Sequence, residues 1–110
     1  MHVVDLAHAH ILALDNLESR SSAKYNLGNS IGYTNLDVVR TIEKISGKKI
    51  DYEIGARRTG DPSELVASST LAKSELGWKP KYESLEAIIE SSWKWSLLNP
   101  EGYSRKKQPK

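Results

Sequence analysis

An arginine pair followed closely by a carboxylate has the residue types best suited to ligand binding in this sequence. The segment 57–62 reads RRTGDP. The guanidinium of Arg58 can hold phosphate oxygens through parallel hydrogen bonds, and the carboxylate of Asp61 can accept hydrogen bonds from sugar hydroxyls. Gly60 would let the backbone turn between them. Because a surface turn with a solvated Arg–Asp pair fits the same spacing, the motif alone leaves both interpretations open.

Two glycines flank a second candidate loop, which precedes an expected helix. The segment 28–32 reads GNSIG. Helix N-termini attract anions, so a loop of this kind can hold a phosphate. This one has neither the spacing of the dinucleotide fingerprint nor the Lys-Ser/Thr ending of a P-loop. We therefore interpret its glycines as structural residues of a turn.

The remaining candidates for catalysis or metal binding are weak. Tyr103 and Lys107 have the Tyr-x-x-x-Lys spacing of a general-base pair, but they follow Pro100 in a charged segment where nothing would fix them beside a substrate. His8 and His10 would point about 200° apart on a helix. We predict no catalytic residue and no metal ligand in this chain.

Composition limits the class of protein. The chain has 110 residues, of which 38% are hydrophobic, so it can form one small core or part of one. It has no cysteine, no recognisable signal peptide and no apolar run near the roughly 20 residues of a membrane span. We expect a soluble, cytoplasmic chain with no membrane contact. The net charge of +2 is concentrated in a basic C-terminal segment, so no nucleic-acid partner is expected.

Four helices and three short strands are expected to position these residues. The first helix is expected to be largely buried and to end near Glu18, and the second to end at Ser46. The expected N-caps are Asp5, Thr34, Ser69 and Ser84, with Asp37 completing a capping box. Glycines should end the second and third helices, and the last should end near Asn99. The expected strands are 25–28, 50–54 and 65–67.

Taken in order, five blocks of the sequence closely resemble UDP-glucose 4-epimerases, a family of the extended short-chain dehydrogenase/reductase superfamily. They read HVVDLA at 2–7, YNLG at 25–28, RRTGDP at 57–62, ELGW at 75–78 and NPEGY at 99–103. The resemblance implies an α/β fold, namely the C-terminal substrate-binding part of such an enzyme, with short strands, about four helices and most of the Rossmann domain missing.

The resemblance also implies a division of the chain. Residues 1–33 would be the last helix and strand of the Rossmann portion, 34–103 the UDP-sugar-binding C-terminal domain, and 104–110 a basic, disordered tail. Arg58 would hold the UDP pyrophosphate, Asp61 would accept hydrogen bonds from the ribose hydroxyls, and Ile31 would be an apolar contact to the nucleotide.

Enzymes of this family interconvert UDP-glucose and UDP-galactose through an NAD-dependent 4-keto intermediate. The chain lacks the glycine fingerprint and a credible Tyr/Lys pair, so NAD is expected only in the full enzyme. Its expected partners are a UDP-sugar and the missing N-terminal Rossmann domain, within a homodimer. The alternatives are a fragment of another nucleotide-sugar decarboxylase or dehydratase, and a non-catalytic interaction remnant.

Overall fold

The structure is a computed structural model, and it describes residues 1–19 and 22–103. These residues form four α-helices and one 3₁₀ helix. The elements are α1 (Val3–Asp15), the 3₁₀ helix (Leu17–Ser19), α2 (Asn35–Ser46), α3 (Thr70–Leu76) and α4 (Leu85–Leu98). The described residues contain no β-strand, so the α/β fold expected from the sequence is wrong for this chain. The expected tail at 104–110 lies outside the described residues.

The three segments expected to be strands are extended or irregular chain. A strand needs a neighbour that shares a ladder of backbone hydrogen bonds, and within the described residues no segment provides one. The carbonyl oxygen of Gly28 accepts a hydrogen bond from the Ser69 hydroxyl at 2.9 Å rather than joining such a ladder. Tyr52 and Ile54 are exposed, so the alternating pattern at 50–54 has no sheet face to bury them.

Helix α1 starts earlier than expected because a histidine caps it. The Nδ1 atom of His2 accepts a hydrogen bond from the backbone N–H of Val4 at 3.1 Å. Asp5, the expected cap, lies in the first turn and is 2% exposed. Its carboxylate accepts hydrogen bonds from the backbone N–H groups of Lys81 at 2.8 Å and Tyr82 at 2.9 Å. The capping role predicted for Asp5 is therefore wrong, and its side chain joins α1 to the segment before α4.

The boundaries of the other three helices follow the local sequence signals. Thr34 and Asp37 form the expected capping box of α2, and the Ser84 hydroxyl accepts from the first turn of α4. Ser69 stands at the N-cap position of α3, but its hydroxyl makes no capping bond there. Left-handed glycines end α2 and α3, at Gly47 and Gly77.

The core is small and lies between α1 and α3. Trp78 is fully buried, and its indole N–H donates to the carbonyl oxygen of Asp5 at 2.9 Å. Helix α2 packs separately against α4. The buried hydrophobic residues among those described are Ala9, Ala72, Leu76 and Trp78, with Leu12, Ala13, Tyr25 and Leu27 packed around them.

Most large apolar side chains of α1 are exposed, so the expectation of a largely buried first helix is wrong. Asp5 and Ala9 are the buried residues of this helix. Contacts with α3 cover one side of α1, but its opposite side faces solvent. The exposed side chains are Val3, Val4, Ile11 and Leu14, followed by Leu17 in the 3₁₀ helix. Among the described helices, none combines the length and apolar character needed to cross a membrane.

Candidate functional site

A cleft of about 700 Å³ opens between the start of α2 and the loop that precedes α3. Its volume is within the range of sites that hold molecules the size of a nucleotide. One wall is formed by residues 32–35, and the opposite side by Arg57, Arg58 and residues 61–66. The arginine motif identified in the sequence therefore lines a concave site and not only a surface turn.

Arg58 and Asp61 lie together in this cleft. The Nε–H of Arg58 donates to Oδ2 of Asp61 at 3.1 Å, and the backbone N–H of Asp61 donates to the carbonyl oxygen of Arg58 at 3.2 Å. Gly60, with φ of 90°, allows this tight turn. The two side chains are 86% and 37% exposed, so solvent weakens their attraction to at most about 1 kcal/mol. A ligand can separate this pair at little cost.

Ile31, the third predicted binding residue, lies next to the cleft in sequence but does not line it. Its side chain is 59% exposed, and the wall begins at Gly32. The structure thus brings Arg58 and Asp61 together and leaves Ile31 at the edge. Its role as an apolar contact to a nucleotide stays a prediction.

Within the motif, Arg57 adds a second positive charge beside Arg58. The cleft also includes residues that the sequence interpretation missed, among them Glu64, which adds a second carboxylate. A Cβ atom at position 32 would lie 3.6 Å from Oε1 of Glu64, so this carboxylate approaches the opposite wall. The position of Glu64 depends on how the loop folds back.

The start of α2 contributes to the shape of the cleft, but the capping box of the helix already uses the polar groups at that start. The Thr34 hydroxyl and backbone N–H both donate to Oδ2 of Asp37, at 2.7 and 2.9 Å, and the Asp37 N–H donates to the Thr34 hydroxyl at 3.0 Å. The hydrogen bond from the Thr34 side chain, the one from its backbone and the nearby charge of Arg40 lower the pKa of Asp37. A carboxylate already sits at this helix start, so the arginines supply the positive charge of the cleft.

The described residues do not fit a dinucleotide site. Such a site needs a glycine-rich turn that joins a strand to a helix start facing the pyrophosphate. Here the glycine-containing segment 28–32 follows extended chain with no strand among the described residues, and the capping box closes the start of α2. Lys107, the second residue of the Tyr103–Lys107 pair, lies outside the described residues. Within the part of the chain that the structure describes, no cluster of three His, Cys, Asp or Glu could bind a metal.

A second cleft, of about 570 Å³, lies between the start of α1 and α4. Its side chains are mainly apolar, including Val3, Ile88, Trp95 and Tyr103, and none of the arginines or lysines among residues 1–19 and 22–103 lines it. A diphosphate would leave its charges unpaired there. The arginine-lined cleft is therefore the candidate site for a phosphorylated ligand.

No protein-family model matches the chain. The chain is 46% identical to UDP-glucose 4-epimerase of Lacticaseibacillus casei over 104 residues, and this aligned segment covers 94% of the chain and 31% of that protein. It is 44% identical over 104 residues to UDP-glucose 4-epimerase of Homo sapiens, covering 94% of this chain and 30% of that protein. The chain therefore spans about a third of the length of these relatives.

Two solved structures share its fold. A crystal structure of a UDP-glucose 4-epimerase superposes with a TM-score of 0.89 at 40% identity, covering 96% of this chain and 32% of that one. The Bifidobacterium longum UDP-glucose 4-epimerase, in complex with NAD⁺ and UDP, superposes with a TM-score of 0.80 at 37% identity, covering 94% and 30%. The helices and loops described above therefore recur as one part of a larger protein.

Proposed function

Because this chain is homologous to UDP-glucose 4-epimerases over about a third of their length, we propose that it forms the UDP-binding part of such an enzyme. The observation that carries the proposal is the cleft lined by Arg57, Arg58 and Asp61. Two adjacent guanidinium groups suit a diphosphate, and a carboxylate three residues away suits the hydroxyls of a ribose. A related structure was solved with UDP bound, which supports this ligand class.

UDP binding would replace the hydrogen bond between Arg58 and Asp61 with contacts from both residues to the ligand. The Arg58 guanidinium has five N–H donors, and its bond to Asp61 uses the one on Nε. Its outer nitrogens would take the diphosphate oxygens, and Asp61 would turn to the ribose hydroxyls. Arg57 would add a second positive charge near the diphosphate. Ile31, at the edge of the cleft, would contact the nucleotide through its apolar side chain.

The interconversion of UDP-glucose and UDP-galactose through an NAD-dependent 4-keto intermediate belongs, in this proposal, to the whole enzyme. NAD would supply hydride transfer from a Rossmann domain outside this chain, since the described residues do not fit a dinucleotide. The chain's own task would be to hold the UDP portion so that the hexose reaches that domain. Residues 1–33 would complete the Rossmann portion and 34–103 would form the UDP-sugar-binding domain, within a cytoplasmic homodimer.

Calorimetric titration of the purified chain with UDP and with UMP tests the binding role. Loss of one phosphate removes charge that the two arginines would pair with, so UDP should bind at least about tenfold more tightly than UMP. Equal affinities, or no heat with UDP at millimolar concentration, would contradict the proposal.

Activity measurements test the division of labour. The chain alone should not interconvert UDP-glucose and UDP-galactose, because its described residues provide no site that holds NAD beside a base. Co-expression with the part of the Lacticaseibacillus casei epimerase that this chain does not match should give activity, and the same part without the chain should not. Turnover by the chain alone would contradict this arrangement.

A further inference from the structure

Two walls of the arginine-lined cleft come from segments that touch at their bases. Residues 32–35 follow Gly28 by a few positions, and residues 64–66 precede Ser69 by a few positions. The Ser69 hydroxyl donates to the carbonyl oxygen of Gly28 at 2.9 Å, and both residues are buried. Ser69 is 1% exposed. One buried contact therefore lies at the base of both walls, and we refer to it as the root contact.

The two segments also approach each other closely in the neighbourhood of this hydrogen bond. A Cβ atom at position 28 would lie 2.5 Å from the carbonyl oxygen of Ala67 and 2.8 Å from its Cβ, distances that no side chain tolerates without backbone movement. Nearer the cleft, a Cβ at position 32 would lie 3.1 Å from Cγ2 of Val66. Glycine is therefore required at 28 for close packing of backbone on backbone, and the two walls meet again at 32 and 66.

Ser69 makes this contact in place of its usual role. A serine at the N-cap of a helix normally accepts a hydrogen bond from the first turn, but at α3 the Ser69 side chain makes no such bond. Its hydroxyl instead reaches a residue 41 positions earlier in the chain. The neighbouring Ser68 pairs locally with Thr70 on the exposed side. The hydroxyl of Ser69 therefore serves the packing of the cleft walls and not the capping of α3.

We propose that Ser69 and Gly28 are positioning residues that set the width of the cleft. They hold residues 64–66 against residues 32–35, and thereby fix where the preceding loop presents Arg58 and Asp61. The expected effect on ligand affinity rests on the proposed UDP-binding function, whereas the expected effect on the spacing of the walls is independent of that function.

An engineered disulfide measures the wall spacing directly, because the chain has no cysteine. A Cβ at position 32 would lie 3.1 Å from Cγ2 of Val66, so a cysteine sulfur at position 66 can approach a cysteine at position 32 closely enough for a disulfide. Gly32→Cys combined with Val66→Cys should therefore oxidise readily. Gly55→Cys combined with Val66→Cys is the control, since a Cβ at position 55 has nothing within 4 Å. Equal oxidation of the two pairs would overturn the proposal.

Adding Ser69→Ala to the Gly32→Cys/Val66→Cys pair should slow disulfide formation about fivefold or more, because the walls lose their shared hydrogen bond. Ser74→Ala is the matched control, since its exposed hydroxyl bonds within α3 to the Leu71 carbonyl. Circular dichroism monitors helix content in each variant. Should Ser69→Ala not fold, Ala67→Gly removes the methyl group that packs against Gly28 beside the root contact and should also slow oxidation. Unchanged oxidation in the folded variant would overturn the proposal.

A second experiment measures UDP affinity by calorimetry on chains without the engineered cysteines. Ser69→Ala should weaken UDP binding about tenfold, Ser69→Thr should keep most of the affinity because it retains a hydroxyl, and Ser74→Ala should match the parent. Slower oxidation with unchanged UDP affinity would overturn the positioning role in binding. If the parent binds no UDP but Ser69→Ala still slows oxidation, the proposed function fails, whereas the control of cleft width by the root contact is supported.

Discussion

The Nε atom of Arg58 lies 3.1 Å from Oδ2 of Asp61, so the two residues expected to bind UDP are paired with each other. The pair neutralises one of the two arginine charges in the cleft. Because both side chains remain accessible to solvent, separating them costs at most about 1 kcal/mol. The carboxylate therefore affects a ligand in two opposing ways, by competing for Arg58 and by offering an acceptor to the ribose.

Asp61→Asn should separate these two effects. The change removes the competing charge, so inorganic pyrophosphate, which has no ribose, should bind as tightly as to the parent or more tightly. UDP should bind more weakly by about 1 kcal/mol, because the amide is a poorer acceptor for two hydroxyls. Calorimetry with both ligands measures the difference. A parallel loss for UDP and pyrophosphate would show that Asp61 does not contact the ribose.

Asp5→Ala should destabilise the fold by about 3 kcal/mol, because the N–H groups of Lys81 and Tyr82 would lose a charged acceptor. Urea unfolding followed by tryptophan fluorescence measures the change. Asp15→Ala, at an exposed position of the same helix, is the matched control and should change stability by less than about 0.5 kcal/mol. Equal effects of the two substitutions would contradict the structural role of Asp5.

Stability should also depend on pH through Asp37. Hydrogen bonds from Thr34 lower the pKa of this carboxyl below its usual value of 3.8 in the folded chain. The unfolded chain therefore binds the proton at higher pH, so the stabilisation is present above pH 3.8 and is lost as pH falls through the folded pKa. An NMR titration of the Asp37 carboxyl should give a midpoint below 3.8, and Thr34→Ala should raise it. The same midpoint in both chains would contradict this assignment.

The exposed apolar side of α1 should make the isolated chain self-associate. Val3, Ile11 and Leu14 lie on one side of the helix and are each more than half exposed. Sedimentation should show a mass that rises with concentration, and Ile11→Glu should reduce that rise. Ser74→Glu adds the same charge at an exposed polar position on α3 and should have little effect. A monodisperse monomer at all concentrations would contradict the expectation.

Signals that act over a few residues predicted the helices well. The Thr34/Asp37 capping box, the Ser84 cap and the glycines at 47 and 77 all stand at observed helix ends. Contacts between distant segments were not predictable in this way. Asp5 has the residue type of a cap, and its bonds to a segment 76 positions away determine its actual role. The strands failed because alternation identifies a possible strand but not the neighbour with which it must pair.

The candidate site was likewise predicted only in part. The chemistry of Arg58 and Asp61 was evident from their types and spacing, and the structure brings both to one cleft. Glu64 and the wall at 32–35 were missed because they are distant in sequence and come together only when the loop that contains Glu64 folds back. The hydroxyl of Ser69 was assigned to a cap, since no local pattern indicates a bond to Gly28.

Calorimetric titration of UDP into Arg58→Ala tests the central claim most directly. Lys44→Ala, which removes the same charge from the exposed last turn of α2, is the control. Arg58→Ala should weaken UDP binding by about 1.5–3 kcal/mol, or roughly 10- to 150-fold, because a charge-assisted contact to the diphosphate is lost. Lys44→Ala should bind UDP like the parent. If Arg58→Ala binds UDP as tightly as the parent does, the arginine-lined cleft is not the UDP site.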